Sequence, residues 1–397
     1  MTATDRTPTE RDASAKRQWI AVSAVALGTF LLVTAEQLPI GLLTPVGSAL
    51  SVSEGAAGLM VTVPSIVAAV AAPVVPILVG RMDRRLLLVA LMGLMTLANL
   101  ASALAPDYPL LIIARVLVGV AIGGFWAIAG GLAVRLVPAS RVPRATAIIF
   151  GGVGAANVFG VPIGTMIGGL ANWRIAFGAL SALALAVLVT LLAVLPPLTA
   201  AQPVGLRRLA GQFRNQGVRV GILATFLIVT GHFSAYTFIS PVLQDLSGID
   251  AQFVGPLLFG FGVAGIAGNF IAGATVAHRL HRTVLSIATA LGVIVLLYPV
   301  AGLTAVGGVA LLVAWGLAYG GVSTSLQTWM IKAAPQAVEE ASALWVAVFN
   351  LSIGLGAFAG GAIVDALPLQ GILWLAGVLL LAAGAAVWGA RRNQSLR

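Results

Sequence analysis

Twelve apolar runs of roughly twenty residues each limit what this chain can fold into more than any other feature. About 20 apolar residues in a helix span the hydrocarbon core of a bilayer, because each residue adds about 1.5 Å. With 59% hydrophobic and only 9% charged residues, the 397-residue chain has more apolar surface than a soluble domain buries. We therefore predict an all-α integral membrane protein. The predicted spanning helices are residues 19–44, 55–79, 86–105, 109–134, 145–170, 175–196, 219–243, 253–277, 284–303, 307–332, 341–364 and 371–390.

The charged residues divide the predicted connections into two classes. Of the 22 lysines and arginines, all but Arg115 and Arg174 lie in the terminal segments or in every second connection. The remaining connections carry the acidic residues Glu54, Asp107, Asp245, Asp250 and Asp365. The positive-inside rule then predicts that both termini are cytoplasmic. The net charge of +10 thus reflects topology, and the expected partner is the lipid bilayer rather than nucleic acid.

The longest connection, residues 198–217, separates the first six predicted helices from the last six. It contains a short basic amphipathic stretch, which favours a helix on the cytoplasmic membrane surface. The predicted organisation is therefore two bundles and a linker between two cytoplasmic tails. Their bounds are a tail 1–18, a bundle 19–197, the linker 198–217, a bundle 218–390 and a tail 391–397.

A short repeat relates the two predicted bundles. Thr34-Ala35-Glu36 in the first helix is matched 196 residues later by Thr230-Gly231-His232 in the seventh, and Pro45 is matched by Pro241. Such an offset predicts parallel halves that place His232 where the first half has Glu36.

Glu36 lies inside the first apolar run, where an ionisable side chain costs about 3 kcal/mol and is by default a functional candidate. Arg115 in helix 4 is expected at a similar depth, so we predict that the two residues pair. Burial favours the neutral carboxylic acid and an adjacent arginine favours the carboxylate, so a small change in exposure would move a proton. Two interpretations remain open, a structural ion pair and a pair that handles protons or gates substrate.

Two further motifs are candidates for conformational roles. In Gly80-Arg81-Met82-Asp83-Arg84-Arg85, the single carboxylate is suited to cap a helix and bridge to a neighbour, although positive-inside charge alone explains the arginines. Helix 5 carries Gly160, Pro162 and Gly164 within a glycine-rich face. That face predicts close packing of another helix, or a bend at the proline.

These motifs together resemble the major facilitator superfamily, and within it the twelve-helix bacterial drug:proton antiporters. Thr34 to Gly41 is similar to that family's helix 1 pattern, Gly80 to Arg85 to the superfamily's loop 2-3 signature, and Arg115 to Gly119 to its helix 4 pattern. Val161-Pro162 in helix 5 departs from the antiporter Gly-Pro and is similar to the sugar and purine nucleoside exporters. The segments around His232 and Asn350 also look like that subgroup.

The resemblance implies two pseudo-symmetric six-helix bundles around a central cavity, in the cytoplasmic (inner) membrane of a bacterium, with a monomer favoured. It implies export of a small organic molecule in exchange for protons by alternating access.

The residues expected to handle protons are Glu36, Arg115 and His232. Those expected to gate are Gly80, Asp83, Arg84, Arg85, Gly160, Pro162 and Gly164. The expected cavity lining is Gln37, Trp126, Tyr236, Tyr319, Gln327 and Asn350. Because these lining residues are mainly uncharged, they suit neutral or weakly basic substrates such as drugs, nucleosides or sugars. For each of them, helix packing is an alternative role.

Other functional classes fit the sequence less well. There is no phosphate-binding glycine loop followed by lysine, and His278 and His281 have no third metal ligand nearby, so neither a cofactor nor a metal is expected. An enzyme would need a nucleophile with a base, paired carboxylates or a metal cluster at membrane depth, where the ionisable residues are Glu36, Arg115, His232 and Asp365, so an enzyme is not expected. His232 is open to two interpretations, a hydrogen-bonding core histidine or a second titrating group. Proton symport for uptake remains the alternative transport mode. A receptor that does not transport is the remaining alternative function that is not enzymatic.

Overall fold

The computed structural model describes residues 8–80, 82–129, 132–198 and 206–394, and these residues are almost entirely α-helical. Within them, eleven segments are long and apolar enough to cross a membrane. One of these, Ala251–Ala301, is two helices joined at Arg279, whose backbone (φ −136°, ψ 43°) leaves the helical region. The described residues therefore contain twelve spanning helices, and the predicted fold class is confirmed.

We number the spanning helices α1 to α12 in chain order. Their bounds are α1 Pro8–Leu50, α2 Glu54–Val79, α3 Arg84–Leu104, α4 Tyr108–Ala129, α5 142–170, α6 Trp173–Val194, α7 Gln216–Tyr236, α8 254–278, α9 280–301, α10 305–333, α11 Val338–Ala366 and α12 Gln370–Gln394. Short helices Leu132–Leu136 and Leu206–Gly211 follow α4 and precede α7. The second of these lies in the predicted linker. Helix α1 begins well before the predicted residue 19, so the polar segment from Pro8 onward continues the first helix.

Two helices are interrupted where the sequence carries proline. In α5, a π-helical turn at Ala156–Gly160 precedes Val161–Leu170, whose second residue is Pro162. Helix α7 ends at Tyr236 and is followed by the short helix Ile239–Pro241 and a second π-helical turn, Val242–Leu246. A π-turn widens the helix locally and frees backbone groups, and such turns are frequent at functional sites.

Helices α1 to α6 form one bundle and α7 to α12 the other. The bundles meet chiefly where α2 packs on α11 and α5 on α8. These contacts depend on glycine, since a Cβ built at Gly262 on α8 would lie 2.6 Å from the Asn157 carbonyl oxygen on α5. A Cβ at Gly354 on α11 would likewise lie 2.6 Å from Cγ1 of Ile66 on α2. Close helix approach through small residues is the usual way that helices associate in lipid.

The two ends of the molecule differ in charge. We call the end that carries Glu54, Asp107, Asp245 and Asp365 the acidic end. We call the opposite end, with Arg84, Arg85, Arg135 and Arg219, the basic end.

Candidate functional site

Glu36 lies in the middle of α1 and is only 5% exposed. Ser65 of α2 places its Oγ 3.4 Å from Glu36 Oε1 and 2.8 Å from the Val61 carbonyl oxygen. In the described part of the chain, no lysine or arginine forms an ion pair with Glu36. The carboxyl group is therefore buried beside a hydroxyl group rather than beside a cation.

Arg115 is fully buried, and its side chain hydrogen-bonds to groups other than the Glu36 carboxyl group. Its Nη1 donates to the Ala35 carbonyl oxygen at 3.0 Å and its Nη2 to Ser102 Oγ at 2.8 Å, while the guanidinium lies 4.8 Å from the centre of the Phe177 ring. The predicted Glu36–Arg115 ion pair is thus absent from the described structure. Depth along the membrane was a correct guide to proximity. However, successive residues of a helix point about 100° apart, and Arg115 meets the backbone of α1 rather than the Glu36 side chain.

His232 of α7 is completely buried and has one hydrogen-bond partner. Trp315 of α10 donates its indole Nε1–H to His232 Nδ1 at 3.0 Å. A nitrogen that accepts a hydrogen bond carries no proton, so the neutral imidazole holds its proton on Nε2. In the described structure that Nε2 is buried without a partner. This arrangement fits the hydrogen-bonding interpretation of His232 better than the titrating one, because protonation of Nδ1 would break its bond to Trp315.

Aromatic rings stack around this histidine. The Tyr319 ring lies 3.5 Å from the imidazole centroid at an interplanar angle of 11°, and Tyr236 stacks on it at 4.8 Å and 22°. Phe261 of α8 continues the stack, 4.6 Å from Tyr236. With Trp315 set edge-on at 5.6 Å, these five side chains form what we call the aromatic cluster.

The aromatic cluster and Glu36 come from different bundles but lie near each other. The link between them is Tyr319, which stacks on His232 and is in electrostatic range of the Glu36 carboxyl group. The 196-residue repeat predicted that Glu36 and His232 occupy corresponding positions, and both are buried, Glu36 within α1 and His232 about one turn before the end of α7. Predicted residues Glu36, His232, Tyr236 and Tyr319 are therefore brought together.

The other predicted lining residues have separate surroundings. Gln37, Trp126 and Gln327 are partly buried, and the Trp126 ring packs 5.9 Å from both Phe125 and Phe150. Asn350 is buried, and its Nδ2 donates to the Val346 carbonyl oxygen of its own helix at 2.9 Å. Their place in a substrate cavity stays a prediction.

The predicted cap at Asp83 is present at the basic end. One carboxylate oxygen of Asp83 accepts from Arg85 N at 2.8 Å, which caps α3, and from Leu198 N at 2.7 Å, which joins α3 to the segment after α6. Arg85 reinforces this junction through Nη2 to the Leu192 carbonyl oxygen at 2.7 Å. Arg84 instead donates back to the Gly80 carbonyl oxygen at 3.1 Å. Gly80 has φ +53°, a backbone conformation that favours glycine and turns the chain out of α2.

Predicted glycines of α5 contact α1 close to Glu36. A Cβ at Gly160 would collide with Thr34, and one at Gly164 would lie 2.5 Å from Leu38 Cδ1. Pro162 is buried between these two glycines. The geometry supports the packing interpretation of this face, whereas a bending motion at Pro162 stays a prediction.

Three residues of the site were not predicted. Ser65 and Phe261 carry no signal that distinguishes them from ordinary helix residues. Trp315 could have been found, because it lies four residues before Tyr319, just as His232 lies four before Tyr236. Residues four apart share a helix face, so α7 and α10 each present an adjacent pair of aromatic or imidazole rings.

Comparison with models of known protein families gives a match over most of the chain. The family model described as Major Facilitator Superfamily matches residues 25–339. This chain belongs to the Major Facilitator Superfamily. The superfamily consists of membrane transporters, and the resemblance predicted from the motifs is confirmed.

Two curated relatives match nearly the whole chain. The "Purine ribonucleoside efflux pump NepI" of Salmonella paratyphi A is 32% identical over 370 residues, 93% of either chain. The "Transcription regulatory protein OpdE" of Pseudomonas aeruginosa is 33% identical over 369 residues, 92% of either chain.

Solved structures of the superfamily share the fold at low sequence identity. A bacterial homolog to the human lysosomal transporter Spinster, in an inward-facing and unoccupied conformation, aligns with a TM-score of 0.72 at 15% identity over 95% of this chain and 97% of that one. The human organic anion transporter MFSD10 aligns with a TM-score of 0.66 at 15% identity, over 96% of this chain and 100% of that one.

Proposed function

We propose that this superfamily member is a secondary transporter that exports purine nucleosides, or closely related heteroaromatic molecules, in exchange for protons. The observation that carries the proposal is the proximity of a buried carboxyl group, Glu36, to the aromatic cluster across the interface between the bundles. The 32% identity to a purine ribonucleoside efflux pump over 93% of the chain supports the direction and the substrate class.

Glu36 is the proposed proton carrier. A carboxyl group buried without a cation is more stable as the neutral acid, whereas contact with water favours the ionised form. Exposure of Glu36 to one side of the membrane and then the other would therefore load and release a proton. Ser65 suits this exchange, since its hydroxyl group can donate to the carboxylate or accept from the acid.

The aromatic cluster is the proposed substrate site. Stacking of a nucleobase on a flat aromatic side chain contributes about 1–3 kcal/mol to binding per base. The unpaired Nε2–H of His232 supplies a directional donor for a ring nitrogen or carbonyl oxygen of a purine. Substrate would reach the aromatic cluster, which belongs to the second bundle, when the two bundles part.

The proposed orientation places the basic end in the cytoplasm of a bacterial cell, by the positive-inside rule. The acidic end then faces outward. The transporter works as a monomer in this proposal, because both halves of the site come from one chain.

The decisive experiment uses purified protein in liposomes loaded with a pH-sensitive dye. Inosine added to wild-type protein is expected to move protons in the direction opposite to the nucleoside. The Glu36→Gln variant, which keeps the shape of the side chain, is expected to lose proton movement but to retain exchange of labelled inosine for unlabelled inosine. Proton movement that survives in Glu36→Gln would remove Glu36 from the mechanism.

The same assay separates the alternatives. Protons and inosine moving in the same direction would indicate symport for uptake. An absence of inosine flux and exchange, in protein that is correctly folded, would favour a role closer to that named for the Pseudomonas relative. A panel of antibiotics and purine analogues tested for competition would define the substrate range.

A further inference from the structure

A side-chain contact between the two bundles lies at the acidic end, away from the proposed substrate site. Asp365, near the end of α11, accepts a hydrogen bond from Ser53 Oγ through Oδ2 at 2.8 Å and from Gly55 N through Oδ1 at 3.0 Å. Ser53 and Gly55 flank Glu54, the first residue of α2. A carboxylate of one bundle therefore caps the N-terminus of a helix in the other.

This cap satisfies groups that a helix end cannot satisfy by itself. The first N–H groups of a helix have no partner within the helix, and its N-terminus attracts negative charge. At α2, Ser53 Oγ accepts from Ala56 N at 3.0 Å, and Asp365 supplies the acceptor for Gly55 N. The hydrogen-bond acceptor for Gly55 N therefore lies 310 residues further along the chain.

The surrounding helix contacts are tight enough to make the cap sensitive to separation of the bundles. A Cβ at Gly55 would lie 2.5 Å from Asp365 Cγ, and one at Gly361 would lie 2.9 Å from the Gly55 carbonyl oxygen. Deeper along the same pair of helices, a Cβ at Gly354 would meet the Thr62 carbonyl oxygen at 3.1 Å. Any motion that opens this end must therefore remove Asp365 from α2.

Other acids face the same junction. Glu54 is half buried and interacts electrostatically with Asp245 and Asp365, so negative charges on both bundles surround the cap. These like charges repel one another, whereas the N-terminus of α2 attracts Asp365. The attraction of Asp365 to α2 therefore opposes the repulsion between the acids, and loss of the cap leaves the repulsion to favour opening.

We propose that Asp365 is a gating residue, and that its contact with Ser53 and Gly55 holds the acidic end closed in the conformation described here. It breaks when the transporter opens to that side. The inference rests on the alternating access of the superfamily and does not depend on the substrate or on protons.

The test uses the absence of cysteine from the chain. Thr62→Cys introduces a single thiol at a position that is 3% exposed and lies beneath the cap at the interface of α2 with α11. Labelling by a membrane-impermeant maleimide in right-side-out vesicles then measures how often the acidic end opens. In this background, Asp365→Ala is expected to raise the labelling rate about tenfold, equivalent to about 1.4 kcal/mol. Asp365→Asn, which retains an acceptor oxygen, is expected to raise it less.

A matched control comes from the same end of the molecule. Asp107 also caps a helix, accepting from Leu110 N at 3.0 Å, but that cap lies within one bundle. Asp107→Ala is expected to leave the labelling rate unchanged. Equal labelling in wild type and Asp365→Ala, with both proteins folded by thermal melting, would overturn the proposal, as would an equal increase in Asp107→Ala.

A cross-link provides the second measurement. Oxidation of a Ser53→Cys/Asp365→Cys double variant is expected to abolish exchange of labelled inosine and reduction to restore it, while either single variant stays insensitive to oxidant. A cross-linked protein that still labels at a thiol placed beneath the cap would contradict the gating role. Because labelling at Thr62→Cys needs no substrate, failure of nucleoside export and failure of the gate give different results.

Discussion

Trp315 donates to Nδ1 of His232 at 3.0 Å, and this bond leaves Nε2 as the ring nitrogen available for other contacts. With Nδ1 occupied, the ring keeps Nε2–H as a buried donor without a partner in the described structure. A buried, unsatisfied donor costs about 1–3 kcal/mol, so its retention next to stacked rings suits a group that waits for an acceptor. The proposed acceptor is a purine.

Replacing Trp315 by phenylalanine tests this bond. The variant leaves Nδ1 of His232 buried without a donor, so we expect the free energy of unfolding to fall by about 1–3 kcal/mol, seen as a lower melting temperature in detergent. Trp345→Phe is the matched control, because the buried indole N–H of Trp345 has no partner to lose. A similar destabilisation in both variants would mean that ring volume, and not the hydrogen bond, is responsible.

Stacking by Tyr319 makes a prediction about substrate affinity. Tyr319→Phe keeps the ring that lies 3.5 Å from His232, so we expect KM for inosine to stay within about twofold of wild type. Tyr319→Ala removes the ring and is expected to raise KM about tenfold, by the usual free energy of stacking on a base. Measured initial rates of efflux over a range of inosine concentrations give both values. Equal KM values for the two variants would argue that Tyr319 does not contact substrate.

Arg115 is predicted to stabilise the first bundle rather than to carry protons. Its two hydrogen bonds, to the Ala35 carbonyl oxygen and to Ser102, each represent about 1.5–3 kcal/mol because the donor is charged. We expect Arg115→Lys to lower the melting temperature more than Ser102→Ala, which removes only one of these bonds.

The relation of Arg115 to Glu36 can be measured directly. Since they do not pair, the effects of Arg115→Lys and Glu36→Gln on unfolding should add to within about 0.5 kcal/mol. A coupling energy well above that value would support the ion pair that the sequence predicted.

The contact between α1 and α5 predicts different outcomes for two glycines of the same helix. Gly160→Ala would push a methyl group into Thr34, so we expect a lower melting temperature and slower transport. Nothing lies within 4 Å of a Cβ built at Gly154, so Gly154→Ala should be neutral or slightly stabilising. If both variants behaved alike, intrinsic helix propensity would explain them better than packing does.

Asp83 is expected to matter more than an ordinary helix cap. Asp83→Ala removes the acceptor of Arg85 N and of Leu198 N, whereas Asn172→Ala removes only the cap of α6 at Arg174 N. We expect a loss of about 1 kcal/mol for Asn172→Ala and about twice that for Asp83→Ala. Equal losses in thermal melting would show that the bond to Leu198 contributes nothing.

Much of the fold could be predicted because lipid limits the choices. Twelve apolar runs specify the number of helices, and short polar connections between them specify that successive helices run in opposite directions. The kink at Arg279 is a partial exception, since α8 and α9 join with almost no intervening loop. The apolar span of α1 begins at Arg17, close to the predicted residue 19, whereas the helix itself extends back to Pro8 through a polar segment that has no apolar periodicity.

The site was only partly predictable, because hydropathy gives depth and not rotation about the helix axis. Depth correctly placed Glu36 and Arg115 at one level, yet Arg115 meets the carbonyl oxygen of the preceding residue, Ala35. Contacts between distant segments, such as Trp315 with His232 or Asp365 with Gly55, leave no local pattern in the sequence. They depend on how the bundles pack.

Tyr319 gives the proposed coupling a simple physical form. Its ring belongs to the aromatic cluster of the second bundle, while the same side chain lies within electrostatic range of Glu36 on the first. In the proposed mechanism, the proton site and the substrate site are adjacent. Binding of one therefore affects the other directly, without a chain of intervening residues. Parting the bundles would then change the surroundings of Glu36 and of the aromatic cluster at the same time. The ratio of protons to substrate molecules would follow from the closeness of these two sites.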